Sequence, residues 1–146
     1  MAIKRMDHVT VVVEDLPAAI AFFTALGMAL EGQTSVEGDM VDRLCGLEGT
    51  QADIAMMRTP DGEGRVELTK YHRPALVPVE PAIAPPNTLG LRQIMFAVED
   101  IDDTVARMRD HGAELLGEMV QYGDSYRLCY LRGPEGIIVA LAEELF

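Results

Sequence analysis

The chain writes one phrase twice. "HVTVVVEDLPAAIAFFTALG" (residues 8–27) and "QIMFAVEDIDDTVARMRDHG" (residues 93–112) run in register without a gap, His8 against Gln93 and Gly27 against Gly112. A repeat of this kind restricts the fold to architectures that join two copies of one supersecondary unit. Five residues of alternating or continuous apolar character in each copy, Val9 to Val13 and Ile94 to Val98, read as a strand. Glu-Asp follows in both, and then apolar residues at helical spacing: Leu16, Ile20 and Phe23 in one, Ile101, Val105 and Met108 in the other. Asp15 and Asp100 are placed to accept from the unpaired amides of a first helical turn. Pro17 suits that turn, where its missing N–H loses nothing, and Gly27 and Gly112 are placed to end the helices.

Each copy continues into further strands and closes on a turn and a strand, "TPDGEGRVELTKY" in the first and "RGPEGIIVALAEEL" in the second. Between them "RPALVPVEPAIAPPNTLG" holds five of the eight prolines, a composition that neither a helix nor a central strand tolerates. The expected organisation is one domain over residues 1–146: a first module over about 1–72, a linker over about 73–90 and a second module over about 91–146. The fold class is α+β, with two pseudo-symmetric βαβββ modules forming a curved mixed sheet around a cavity.

At 146 residues such a domain buries a core without disulfide or metal staples. The net charge of −12 disfavours nucleic-acid backbones and anionic membranes, and leaves small molecules and proteins as partners. The apolar start is too short for a signal-peptide core and "PAAIAFFTALGMAL" too short for a membrane span, so the expected location is the cytoplasm. Cys45 and Cys129 stand far apart with no metal-type spacing and read as buried small hydrophobes. His72 and His111 read as solvated or capping residues.

The segments "DHVTVVVEDLPAAIAFFTALGM", "RVELTKY", "QIMFAVEDIDDTVARM" and "RGPEGIIVALAEEL" resemble the vicinal oxygen chelate superfamily, which includes glyoxalase I, extradiol dioxygenases and the bleomycin and fosfomycin resistance proteins. The resemblance covers nearly the whole chain and implies four metal-ligand positions, on the first and last strand of each module. They fall on His8, Glu67, Gln93 and Ala140, of which only the first three have a donor side chain. Strand alternation agrees with this mapping, because residues two apart share a face. His8 goes with Thr10, Glu67 with Arg65 and Thr69, Gln93 with Met95, and Ala140 with Ile138 and Ala142. Thr10, Arg65, Met95 and Ala140 are therefore candidate substrate contacts. Tyr122, Tyr126, Arg127 and Tyr130, from a hairpin that holds three of the four tyrosines, form a candidate ligand wall, with cross-strand packing as the alternative.

The resemblance implies a glyoxalase-like, metal-dependent lyase or isomerase acting on a small oxygenated metabolite. His8, Glu67 and Gln93 would hold Zn, Ni, Fe or Mn, and Glu67 would move the proton. Ala140 stands where glyoxalase I carries its glutamate base, which argues against glyoxalase I itself and leaves open a site with no metal. A metal-free binding protein of the bleomycin-sequestering kind is the alternative. An extradiol dioxygenase fits less well, since its iron is held by two histidines and a carboxylate. The resemblance also implies a homodimer.

Overall fold

The computed structural model describes residues 2–145. By contact density the chain divides into two compact units, Met1–Val77 and Pro78–Phe146, so the division falls inside the proline-rich linker.

The first unit contains β1 (Val9–Val12), α1 (Leu16–Leu26), β2 (Ala29–Glu37), α2 (Asp39–Cys45), β3 (Gln51–Arg58) and β4 (Arg65–Arg73). Its sheet has the order β1-β4-β3-β2, with β1 parallel to β4 and the other pairs antiparallel. Helix α1 starts as its sequence dictates. The Asp15 carboxylate accepts from the Ala18 amide at 3.0 Å, and Pro17 lies in the first turn. It stops at Gly27, whose φ of 123° is rarely open to a residue with a Cβ. The helix buries Leu16, Ala19, Phe22, Phe23 and Leu26 and packs on β3 and β4, which offer Ala55, Met57, Val66 and Leu68, all buried. Ile20, expected in that stripe, is half-buried. Phe22 and Phe23 meet edge to face at 5.3 Å, and each contributes about 1.5–3 kcal/mol through burial alone.

The short α2 was not expected from the sequence. It buries none of its residues, and Met40 and Leu44 are exposed. What anchors it is polar: Asp42 accepts from the backbone amides of Gly49 and Thr50 at 3.1 and 2.8 Å. The close approach of Thr50, whose backbone amide donates to it, holds the Asp42 carboxyl below its usual range. Cys45 ends this helix and is exposed, contrary to the expectation of a buried thiol. Cys129 is buried, and desolvation pushes its thiol up.

The second unit contains β5 (Gln93–Ala97), α3 (Ile101–Arg109), β6 (Glu114–Tyr122), β7 (Tyr126–Arg132) and β8 (Ile138–Glu144). Its sheet order, β5-β8-β7-β6, repeats that of the first unit strand for strand, again with one parallel pair. Asp100 caps α3 by accepting from the Asp103 amide at 3.0 Å, and Glu143 accepts from the Ile101 amide at 2.7 Å. Ile101, Val105 and Met108 are buried as their spacing predicts. The fold is α+β, two βαβββ modules with one extra short helix in the first. Among the described residues no helix is long and apolar enough to cross a membrane.

Candidate metal half-site and its counterpart

β1 and β4 run parallel with Thr10 opposite Glu67, and this register sets His8, one residue before β1, beside the Glu67 carboxylate. His8 Nε2 lies 3.3 Å from Glu67 Oε2. His8 Nδ1 is held at 2.8 Å by Asp7, which also accepts from Arg5. These two partners lower the Asp7 carboxyl, the His8 contact contributing most. The other Glu67 oxygen, Oε1, accepts from Thr69 at 2.9 Å and from Thr10 at 3.2 Å. Both carboxylate oxygens thus have fixed directions. The Glu67 side chain is 18% exposed and that of His8 30%, so the pair is sheltered yet reachable.

The arrangement fits a cation. Two donors about 2.1 Å from one divalent ion, at tetrahedral or octahedral angles, stand about 3.0–3.4 Å apart. When Nδ1–H donates to Asp7, Nε2 turns its lone pair toward a carboxylate oxygen, a repulsive contact unless a proton or a cation lies between them. A carboxylate behind a histidine is also the usual way of orienting a metal-binding imidazole. Among the described residues no third histidine, cysteine or carboxylate joins the pair.

The second unit repeats the geometry with other side chains. Met95 pairs with Ala140 in register, as Thr10 pairs with Glu67. Gln93, at the position equivalent to His8, donates from Nε2 to the Tyr130 phenol oxygen at 2.9 Å. Ala140 is fully buried. Arg127 is displaced from the expected wall. Its guanidinium grips Asp102 at the start of α3 at 2.6 and 3.1 Å, on the helix-bearing face. Tyr122 and Tyr126, opposite each other in register, are exposed, and so is Met95. Arg65 is engaged by Glu31 at 3.1 Å.

Asp7, outside the sequence-derived set, joins His8 in the first unit, and Thr69 and Tyr130, which the sequence places beside Glu67 and on the tyrosine hairpin, engage Glu67 and Gln93 in their respective units. Strand alternation gives the signal for Thr69, two residues beyond Glu67. Tyr71, two further on, has its phenol pushed up, chiefly by burial, then by Cys45, with a smaller effect of Glu67. A separate cleft of about 740 Å³ opens at the N-terminal end of α1, between Glu14, Asp15, Gln33, Asp53, Lys70 and His72. In it Asp53 is held by Ser35 at 2.6 Å and His72 at 2.8 Å. Neither His8 nor Glu67 lines this cleft.

Comparison with known proteins agrees with this architecture. A glyoxalase family protein from Bacillus cereus is 51% identical, with a TM-score of 0.96 over 100% of this chain and 97% of that one. The uncharacterized protein YaeR of Escherichia coli (strain K12) is 24% identical, covering 99% of each chain. A mutant of the fosfomycin resistance protein FosX from Listeria monocytogenes, complexed with Mn(II) and 1S,2S-dihydroxypropylphosphonic acid, is 14% identical. Its TM-score of 0.61, over 96% of this chain and 90% of that one, shows a shared fold alone. Residues 5–141 match the sequence profile of the Glyoxalase/Bleomycin resistance protein/Dioxygenase superfamily, and the chain belongs to that superfamily.

Proposed function

We propose that the protein is a metal-dependent lyase or isomerase acting on a small oxygenated metabolite, and that it is not a glyoxalase I. The observation that carries this reading is the His8–Glu67 pair, with Nε2 and Oε2 3.3 Å apart and Asp7 behind the imidazole. His8 and Glu67 supply two donors to the ion. A divalent cation of the Zn, Ni, Fe or Mn class, when bound, polarises neighbouring oxygens of the substrate. Thr10 and Thr69 hold Oε1 of Glu67, so Oε2 is the oxygen left to bind the ion or accept a proton. The FosX relative, with Mn(II) and a vicinal diol, is an example of such a pairing of ion and ligand on this fold. The working form is proposed to be a homodimer, with a solution mass near twice the 16.0 kDa of one chain.

Metal analysis of protein purified without an affinity tag or chelator tests the reading. The expected outcome is stoichiometric divalent metal in the wild type and none in His8→Ala. Metal-free wild type that still binds small molecules would favour the alternative, a sequestering protein. The neutral second half-site, with Gln93 tied to Tyr130 and no carboxylate at Ala140, is what supports that alternative.

A further inference from the structure

We infer that Tyr130 is a ligand-binding residue whose phenol O–H donates to a carbonyl or carboxylate oxygen, taking over at β7 the polar role that position 140 on β8 has given up. The inference rests on the reading above that the face of each sheet opposite its helix, which carries His8 and Glu67 in the first unit and Gln93 in the second, is the ligand face.

Gln93 begins β5 and Tyr130 lies on β7, with β8 between them. Two inter-strand spacings amount to roughly 9.5 Å, a gap that two long side chains close and that Ala140, paired with Tyr130, could not. The hydrogen bond at 2.9 Å runs from the Gln93 amide to the phenol oxygen. A phenol that accepts through oxygen still has its own hydrogen to give. Among the described residues no acceptor takes it. Tyr130 is half-buried, so the hydroxyl is sheltered without being sealed.

The matched positions in the first unit show what has changed. There β4 carries Glu67 and its register partner on β3 is Met56. In the second unit β8 carries Ala140 and its register partner on β7 is Tyr130. The oxygen has moved one strand over, and an acceptor has become a donor. A donor suits an oxygen that bears or develops negative charge. Met95, in the same register row as Ala140 and Tyr130, is 52% exposed and adds apolar surface on that face. The ligand class that fits is a 2-oxo or 2-hydroxy acid with an aliphatic or aromatic side chain.

The test uses 3-methyl-2-oxobutanoate as probe, titrated calorimetrically into protein as purified and after EDTA treatment. Tyr130→Phe keeps the ring and should weaken binding about five- to tenfold in both preparations. Ser125→Ala, in the exposed turn between β6 and β7, should leave binding unchanged. In protein labelled with ¹³C at the tyrosine ζ carbon, the Tyr130 resonance should move on titration more than that of Tyr71, on β4. Equal affinity of Tyr130→Phe and wild type overturns the inference, and so does a wild type that does not bind the probe. A chain without metal sinks the enzymatic reading, whereas the Tyr130→Phe effect in EDTA-treated protein is judged separately.

Discussion

The two modules share strand order, helix placement and register, yet their matched site positions have opposite character. The first presents Asp7, His8, Thr10 and Glu67, all polar and tied to one another by hydrogen bonds or short ion-pair contacts. The second presents Arg92, Gln93, Met95 and Ala140, with one hydrogen bond, from Gln93 to Tyr130. By contrast the helix-facing positions are conservative in kind: Phe23 and Met108 are both buried and apolar, as are Leu16 and Ile101. The scaffold has been kept in duplicate, while the imidazole and carboxylate proposed to hold a cation stand in one copy.

Matched scaffold positions should therefore respond alike and matched site positions should not. The largest effect is expected in the core. Phe23→Ala and Met108→Ala should each lower stability by about 2–5 kcal/mol, read from denaturant midpoints. A large loss in one and none in the other would break the equivalence of the modules. Metal affinity should then split the site positions. His8→Ala is expected to reduce Zn²⁺ affinity by about a hundredfold, or ~2.7 kcal/mol, and Gln93→Leu by less than about tenfold. Competition against a chromophoric chelator measures both, and equal losses would mean that the second module is as much a metal site as the first.

Asp7→Asn should cost about tenfold in the same titration, because it removes the group that orients His8, while Arg92→Ala at the matched position leaves the affinity unchanged. The smallest effect concerns acid. Arg127 holds the Asp102 carboxyl below its usual range, so the native state favours the charged form. The associated stability is present above the unfolded value of about 3.9 and is lost as pH falls through the lowered folded one. Thermal melts between pH 2 and 6 should show a slightly flatter acid limb in Asp102→Asn. Because Asp102 is fully exposed the change is small, and an unaltered limb would show that the pair contributes nothing to folding.

The fold was legible because its signals are periodic. Two strands and two helices repeat in register, and their caps at Asp15 and Asp100 are local chemistry that a sequence displays directly. The His8–Glu67 pair came from the resemblance to the superfamily, and strand alternation agreed with it. Helix α2 left no such trace, since seven residues that bury nothing have no apolar rhythm to read. Arg127 was assigned to the same wall as Tyr126, although neighbours on a strand point to opposite faces, and the structure sends it to Asp102. The Gln93–Tyr130 bridge was out of reach for another reason. It depends on which strand lies between β5 and β7, a fact of topology that no local pattern encodes.

The alternation that puts donors on one side of each sheet and helix-facing core residues on the other also governs how such a chain can change over generations. A substitution at His8, Gln93 or Tyr130, the residues proposed to bind, leaves untouched the buried Phe23, Leu68, Met108 and Leu141, which keep the chain folded. Mutational drift can therefore explore new reactions at little risk to folding, and one copy can stay conservative while the other experiments. On that view the duplication acts as a rehearsal space, and the neutral second half-site is a stage from which a different chemistry can start.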